Sequence, residues 1–442
     1  MTSSGTPYVE CYVWIWLPGQ SKPVVAGRLS RSGSQLVFNY GRSYLERSGA
    51  IPIFLPELPL DSGIKKPVKG AMHSSIRDAS PDAWGRRVIL NRRTGKTGTA
   101  LDAIETDDEL GFLLESGSDR IGALDFQASP TEYVSRIEDN ASLAELLEAS
   151  ERVEKGLPLS EALDRVLNHG TSIGGARPKA ILESGGRKYI AKFSASNDAY
   201  SVVKGEYIAM RLAALAGLNV APVSLNETLD KDVLLIERFD RVPTDTGWLR
   251  RAMVSALTIL GLDEMEARYA SYGDLAEKIR YRFTDPKITL IELYRRMVFN
   301  VLIGNTDDHA RNHAAFWDGE MLELTPSYDI CPQGRTGGET SQAMLLVGND
   351  RSSRITTLLD SAKQFFLHED CAVRIINDLV ETIATNWSSV INEAKLTPVD
   401  RRLFAGGQFL NISILYGLSE RNTHLDSIIK KARQYIIKNV QT

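Results

Sequence analysis

The chain has 442 residues, of which 43% are hydrophobic and 24% are charged, and its formal net charge is -4. This length suits about two or three packed units of an ordinary soluble globular protein, and the acidic balance gives no support to a nucleic-acid-binding surface over the whole molecule. No apolar run is long enough to cross a bilayer and the N-terminus has no secretory pattern, so we expect a cytoplasmic protein without membrane contact.

The first 60 residues predict a small β meander. Residues 8–16, 24–29 and 35–40 are rich in β-branched and aromatic types, and glycine and serine turns separate them. Residues 51–60 are extended but broken by prolines, which favours a connector or an edge over a central strand.

Helices are predicted after the meander. Ser80 is a suitable helix cap and Pro81 a suitable first helical residue, so we expect a helix to begin there. Residues 106–115 and 143–153 also have the helical period, with acidic residues near their starts.

The middle of the chain predicts a hairpin. Residues 184–186 form a glycine turn between two strands, with a glycine-bearing loop in front of the first strand. A strongly helical stretch at 206–216 follows and is closed by Gly217, and residues 233–241 are a buried strand that runs into a charged connection. Residues 243–247 indicate a loop near a domain boundary.

From residue 252 onward the sequence is mostly helical, because apolar residues recur at helical spacing. The predicted helices cover residues 290–303, 358–366, 373–394, 402–415 and 425–440.

Acidic and amide side chains gather after an apolar helix that stops at Gly304. Asp307 and Asn312 are separated by four residues, and a short apolar strand at 324–329 ends in Asp329. Phosphoryl transfer needs one carboxylate to orient the attacking hydroxyl, and an Asn and a second Asp to hold magnesium, which prefers oxygen ligands. We therefore predict that Asp307 is the base and that Asn312 and Asp329 are metal ligands.

Two other interpretations of this segment remain open. Asn and Asp are standard turn residues, so residues 305–309 could be only a polar turn that caps the preceding helix. His309 and His313 are four residues apart, as in helical zinc sites, but Ala310 stands where the catalytic glutamate of that motif would be. We expect the histidines to be structural or, for His309, at most to line a nucleotide site.

Candidate phosphate-binding groups lie around the predicted hairpin. Gly174 and Gly175 precede it, and glycine backbone can approach phosphates closely, although two glycines without a Walker pattern also fit a plain turn. Lys179 and Lys192 could both reach in from the hairpin, and apolar neighbours place Lys192 in a strand. The alternative for each lysine is an ordinary surface position.

Taken together, these motifs resemble the HipA family of toxin kinases, in their order and spacing and over nearly the whole chain. The segments that carry the resemblance are residues 172–179, 237–241, 305–312 and 324–329. The resemblance implies a two-lobed, protein-kinase-like α+β fold with a β-rich N-terminal lobe and an all-helical C-terminal lobe. The implied divisions are an N-terminal β subdomain with connecting helices (1–130), the rest of the N-lobe with glycine loop and hinge (131–242), and the helical C-lobe (243–442).

The resemblance also implies a serine/threonine protein kinase that uses ATP and magnesium, with the roles given above for Asp307 and the two metal ligands. Lys192 matches the lysine on the ATP phosphates, and Glu237 and Phe239 match the hinge that holds adenine. Ser172 matches the serine that such kinases autophosphorylate, which expels the loop from the nucleotide site. Thr171 is an adjacent alternative acceptor.

The implied partners are a helix-turn-helix antitoxin, through which DNA is contacted only indirectly, and a translation-related protein substrate such as an aminoacyl-tRNA synthetase. Asp308 stands where the best-known members often carry a small residue, which leaves the substrate open. Two rival functions are a small-molecule phosphotransferase of similar fold and a catalytically idle co-repressor module.

Overall fold

The computed structural model describes residues 8–94, 108–136, 142–155, 157, 160, 163, 177–195, 198, 200–334 and 338–439. The chain divides into two compact units, each assembled from segments that are distant in sequence. The first unit comprises Met1–Ser196, Asn226–Val254 and Phe316–Glu320. The second comprises Asn197–Leu225, Ser255–Ala315 and Met321–Thr442.

An antiparallel sheet opens the first unit. Its strands are β1 (Glu10–Ile15), β2 (Val24–Ser32), β3 (Gln35–Tyr40) and β4 (Leu124–Gln127), in the order β3-β2-β1-β4. The predicted β meander is confirmed, and its buried side chains form the core on one face. Residues 51–60 contain only the isolated pairing of Phe54 with Leu58, so this stretch is a connector, as its prolines predict.

The helices described in the first unit are α1 (Arg42–Leu45), α2 (Ser74–Arg77), α3 (Ala83–Thr94), α4 (Glu109–Glu115) and α5 (Leu143–Glu154). The prediction that Ser80 caps α3 and Pro81 begins it is wrong. The helix begins at Ala83, and the Arg86 N–H donates to the carbonyl of Asp82 at 2.8 Å. The first intrahelical bond thus goes to the Asp82 carbonyl, which places Ser80 and Pro81 before the helix.

A second sheet contains β5 (Lys179–Ser184), β6 (Arg187–Phe193), β7 (Val223–Thr228) and β8 (Lys231–Glu237), in the order β5-β6-β8-β7. The predicted hairpin is confirmed. Gly185 and Gly186 have φ of +58° and +70°, the left-handed values that a tight turn between β5 and β6 requires.

The strand predicted over 233–241 is two strands separated by a turn. β8 ends at Glu237, and the chain resumes as β9 (Arg241–Thr244), which pairs with β10 (Gly247–Arg250). The loop predicted at 243–247 is therefore the tip of a hairpin. The strand is interrupted because the side chains of Arg238 and Asp240 bond to each other within the turn.

Helices make up most of the second unit. They are α6 (Val202–Leu215), α7 (Ala256–Ile259), α8 (Tyr272–Arg282), α9 (Pro286–Ile303), α10 (Ile355–Ser361), α11 (Glu369–Glu393), α12 (Pro398–Phe404), α13 (Leu418–Arg421) and α14 (Thr423–Lys438). Short 3-10 segments lie at Ala267–Tyr269, Ala310–Asn312, Ala362–Phe365 and Ile412–Leu415. None of the helices in the described ranges has both the length and the apolar character that a membrane span needs.

Two details of the C-terminal prediction need correction. This part of the chain is not entirely helical, because β11 (Met253–Ser255), β12 (Ala314–Trp317) and β13 (Leu322–Leu324) form a short sheet. Residues 402–415 are not one helix either, since α12 ends at Phe404 and Gly406 has a left-handed φ of +72°. A backbone in that region cannot continue a right-handed helix.

Candidate active site

The candidate site begins where α9 ends. Gly304 has φ +71°, and a Cβ at this position would lie 2.9 Å from the carbonyl oxygen of Gln408, so glycine is required here. The Asn305 N–H donates to the Asn300 carbonyl at 2.9 Å, and its side-chain amide donates to Asn300 Oδ1 at 3.1 Å. These bonds fix the direction in which the chain leaves the helix.

The next turn brings Asp307 and Asn312 together. The carbonyl oxygen of Asp307 accepts from the His309 N–H at 2.9 Å and from Asn312 Nδ2 at 3.2 Å. The Asn312 N–H in turn donates to the His309 carbonyl at 2.8 Å. Because the amide nitrogen of Asn312 donates within the turn, its amide oxygen is the atom that can bind a cation.

The carboxyl of Asp307 lies among other acidic groups. Asp307 is exposed as a residue, but its carboxyl is partly desolvated, and this is the main reason why its pKa is raised. His309 opposes that rise, whereas the nearby carboxylates of Asp329 and Asp308 add to it. Within the described ranges no lysine or arginine pairs with Asp307. The negative charge around Asp307 therefore makes its own ionisation less favourable.

Asp308 has a different environment from its neighbour Asp307. It is 2% exposed, its Oδ2 accepts from the hydroxyl of Tyr272, and its Oδ1 lies 2.9 Å from His313 Nε2. The same hydroxyl lies 3.2 Å from His313 Nε2. Burial first, and then the carboxylate of Asp308, raise the pKa of Tyr272 far above its ordinary value.

Sequence reasoning missed this Tyr272–Asp308–His313 network. Its signal was weak, because Tyr272 lies in α8, 36 residues before Asp308. The polar stretch from Asp308 to His313 contains other charged and amide side chains, so its composition did not single out these two residues.

The second predicted block, residues 324–329, is held to its neighbours by backbone bonds. Thr325 donates to the Ala314 carbonyl from its N–H at 3.0 Å and from its hydroxyl at 3.1 Å, and Ser327 pairs with Val220. The predicted strand is shorter than expected, because β13 ends at Leu324. Asp329 follows with φ +57°, a left-handed value that aspartate tolerates better than most residues.

Arg296, which sequence reasoning also missed, supports this block from α9. It is 3% exposed, and its Nη2 donates to the carbonyls of Thr325 at 2.9 Å and Asn219 at 3.0 Å. Its Nε donates to Glu292 at 2.8 Å. A charged residue in the middle of an apolar helix was the signal that could have identified it.

A zinc site has no structural basis in the described ranges, where no group of three or more His, Cys, Asp or Glu side chains could hold a metal ion. His313 faces Asp308 and Tyr272, whereas His309 lies beside Asp307. The two histidines therefore do not act as a pair. This absence does not bear on a site formed by Asn312 and Asp329, because asparagine is not one of those four residue types.

The predicted lysines lie in the first unit. Lys179 and Lys192 are directly opposite each other in the register of β5 and β6, so their side chains leave the same face of the sheet. Lys179 is 3% exposed and Lys192 is half-buried. The register of the hairpin therefore places both predicted lysines on one face of the sheet.

The predicted hinge residues lie where β8 ends. Glu237 Oε2 is 2.6 Å from Arg187 Nη1 on the neighbouring strand. Phe239 occupies the following turn, and its ring packs edge-on against Phe316 with a centroid distance of 5.9 Å. Ser172, Thr171, Gly174 and Gly175 lie outside the described residues.

Comparisons with known proteins agree over both halves of the chain. The model of the HipA N-terminal domain matches residues 15–127, and the model of the HipA-like C-terminal domain matches residues 171–387. Together they cover most of the sequence, including Asp307, Asn312 and Asp329.

Curated relatives align over shorter stretches. "Putative kinase Y4mE" of Sinorhizobium fredii is 32% identical over 133 residues, 29% of this chain and 31% of that protein. "Serine/threonine-protein kinase toxin HipA" of Shewanella oneidensis is 28% identical over 186 residues, 36% of this chain and 42% of that protein. The aligned part thus spans less than half the length of either relative.

One solved structure matches nearly the whole chain. It is HipA of Shewanella oneidensis, in complex with HipB and its operator DNA, and it covers 97% of this chain and 96% of its own with a TM-score of 0.63. At 19% identity the match shows the fold, which is a two-lobed α+β kinase-like fold.

Proposed function

This chain belongs to the HipA family, and we propose that it is an ATP- and magnesium-dependent serine/threonine protein kinase, the toxin of a toxin–antitoxin pair. The observation that carries the proposal is the turn that bonds Asp307 to Asn312, with Asp329 near enough to raise the pKa of Asp307. Phosphoryl transfer is catalysed mainly by positioning and charge neutralisation, and these residues support the proposal because they suit orienting a hydroxyl and holding a cation.

Asp307 is the base in this proposal. As the substrate hydroxyl oxygen bonds to the γ-phosphorus of ATP, its proton passes to the carboxylate of Asp307 and the bond from the γ-phosphorus to the β–γ bridging oxygen breaks. ADP leaves with the electron pair of that bond. The raised pKa of Asp307 makes it a stronger proton acceptor than an ordinary aspartate.

Asn312 and Asp329 are the proposed magnesium ligands. They offer an amide oxygen and a carboxylate, which are the hard oxygen donors that magnesium prefers, and the acidic surroundings of Asp307 favour a cation. When bound, magnesium neutralises charge on the ATP phosphates. Because Asn312 Nδ2 donates to the Asp307 carbonyl, the amide oxygen is the atom that remains for the metal ion.

The remaining nucleotide contacts are proposed in the same way. Lys192 binds the ATP phosphates, with Lys179 on the same sheet face. The backbone of Gly174 and Gly175 is a further proposed phosphate contact. The backbone at Glu237 and the side chain of Phe239 hold the adenine, and His309 lines the site.

Regulation and partners follow from the family. Ser172, or its neighbour Thr171, receives a phosphate from the kinase itself, and that charge competes with the ATP phosphates for the same site. A helix-turn-helix antitoxin is the partner, and contact with DNA occurs only through it. The substrate is a translation-related protein, with aminoacyl-tRNA synthetases as first candidates. Residues 1–130, 131–242 and 243–442 are the proposed functional divisions.

Peptide mass spectrometry after incubation with ATP and magnesium tests this proposal. Wild type is compared with Asp307→Asn and with Asp378→Asn, which changes an exposed aspartate on α11. We expect phosphate on Ser172 or Thr171 in wild type and in the Asp378 variant, and none in the Asp307 variant. Equal phosphate in all three would contradict the role of Asp307. No phosphate in any of them, with no ATP turnover on candidate synthetases, would contradict the kinase assignment.

A further inference from the structure

A buried ion pair joins the two residues on either side of Phe239. Arg238 and Asp240 are 4% and 2% exposed, whereas Phe239 between them is half-buried. The Asp240 carboxylate accepts from Arg238 Nε at 3.0 Å and from Arg238 Nη2 at 2.8 Å, a bidentate arrangement that fixes orientation as well as distance. The residues on both sides of Phe239 are therefore tied to each other.

A segment about 120 residues earlier in the chain holds the same turn from the other side. Asp240 Oδ2 accepts from the N–H of Gly122 at 2.8 Å. Arg238 donates from Nη1 to the Asp119 carbonyl at 3.0 Å and from Nη2 to the Arg120 carbonyl at 2.7 Å. The two side chains thus bind backbone groups that only one conformation of this segment presents.

Further bonds complete the network and tie it to the sheet. Arg241 donates to Asp119 Oδ1 at 3.0 Å and to the Gly122 carbonyl at 2.9 Å, and Lys188 pairs with the other oxygen of Asp119. The Arg238 N–H donates to the Lys188 carbonyl at 2.8 Å. Lys188 is in β6, so these bonds anchor the turn to one end of that strand.

The network is ionised at neutral pH. Burial opposes the charge on Asp119, yet Arg238, Arg241 and Lys188 hold its pKa well below the ordinary value. Burial likewise opposes the charge on Asp240, and the two arginines lower its pKa. Buried charges of this kind depend on one another, because loss of one leaves its partner uncompensated.

We propose that Asp119, Arg238 and Asp240 are positioning residues for the nucleobase. They do not touch the nucleotide; they fix the peptide groups on both sides of Phe239, which the proposed function assigns to adenine. The inference rests on that proposed function. It follows that the part of the ATP affinity contributed by the adenine base depends on the network, whereas the part contributed by the phosphates does not.

The test separates these two parts of the affinity. The full-length chain is titrated by calorimetry with magnesium–ATP and with magnesium–tripolyphosphate, which has no base. Asp240→Asn keeps the shape and removes the charge, and Arg238→Lys keeps the charge and removes the bidentate geometry. The matched control is Asp125→Asn, a fully buried carboxylate of the same unit that accepts from Arg120 Nε and Arg136 Nη2, both at 2.9 Å.

We expect both network variants to weaken ATP binding about tenfold or more and to leave tripolyphosphate binding within about twofold of wild type. Asp125→Asn should lower the Tm as the network variants do, while the ratio of the two affinities stays at the wild-type value. The Arg238 variant keeps the test decisive if Asp240→Asn fails to fold.

Two outcomes would overturn the inference. Parallel weakening of both ligands in the network variants would mean that the network supports only the fold. Network variants that bind both ligands as tightly as wild type does would also reject the positioning role, and would leave the proposed function standing. A wild type that binds neither ligand would reject the proposed function itself, and the positioning role with it.

Discussion

The turn at residues 238–240 and the turn at 307–312 both follow a regular element and both carry aspartates, but their charges are balanced in opposite ways. Asp240 is 2% exposed, bound by arginines, and its pKa is lowered. Asp307 is exposed, no lysine or arginine of the described ranges pairs with it, and its pKa is raised. An aspartate with fixed cationic partners holds structure, and one without them is available for a cation and a proton.

Asp308 sharpens the contrast because it is the next residue along the chain from Asp307. Its carboxylate is buried and bonded by the hydroxyl of Tyr272 and by His313, so it resembles Asp240 rather than its neighbour. The difference between a structural and a reactive aspartate therefore lies in the partners and not in the residue type.

The largest expected effect concerns the two aspartates of the candidate site. Asp307→Asn should lower the rate of phosphate transfer roughly 10²–10⁴-fold, because the proposed base is lost while the shape is kept. Asp329→Asn should act in the same direction by removing a proposed metal ligand. The measurement is ATP-dependent phosphorylation at saturating magnesium, with Asp378→Asn as the control. A rate for Asp307→Asn within a factor of two of the wild-type rate would contradict the proposed role of Asp307 as the base.

The next effect concerns buried against exposed ion pairs. Arg238→Met should lower the free energy of unfolding by about 3–5 kcal/mol, because Asp240 and Asp119 lose a buried partner. Arg187→Met should cost far less, since the Arg187 side chain is 59% exposed in its pair with Glu237 and solvent screens that pair. Urea titration of the full chain gives both numbers. Equal losses would show that burial is not what distinguishes the 238–240 turn.

A smaller effect tests Asp308 as a structural aspartate. Tyr272→Phe removes a hydroxyl that donates to a buried carboxylate, and should cost about 1.5–3 kcal/mol of unfolding free energy. Tyr281→Phe is a matched control on the same helix, because Tyr281 is 77% exposed. If the two substitutions had the same effect in urea titrations, the network around Asp308 would contribute nothing to the fold.

The smallest effect is a dependence on pH. The folded-state pKa values of Asp119 and Asp240 lie below the ordinary aspartate value of 3.8. Their contribution to stability is therefore complete above that value and is lost as the pH falls through the lower folded-state values. Unfolding free energies measured between pH 5 and pH 3 should fall less steeply in Asp119→Asn than in wild type. Asp378→Asn should keep the wild-type slope.

Local signals predicted the parts of the fold that depend on a few adjacent residues. The hairpin between β5 and β6 follows from Gly185 and Gly186, and the end of α9 follows from Gly304. The spacing of Asp307 and Asn312 also sufficed to predict that they meet, because the turn between them is short. In these cases the partners of each residue lie within a few positions of it.

Other features were missed because the deciding partner is distant in sequence. The break in the 233–241 strand depends on carbonyls of Asp119 and Arg120, which no local pattern reveals. The buried state of Asp308 depends on Tyr272, and the support of the Asp329 block depends on Arg296. Buried polar side chains select their partners through the tertiary fold, so residue type and spacing do not identify them.

The division of the first unit into separated segments has a consequence for synthesis on the ribosome. Trp317 donates from Nε1 to the Pro52 carbonyl at 2.9 Å and packs edge-on against Phe54, and all three belong to this unit. The unit that begins at the N-terminus cannot complete its packing until Trp317 has emerged. By then the ribosome has already translated Asp307 and Asn312, so the first unit is finished only after this part of the second unit has been made.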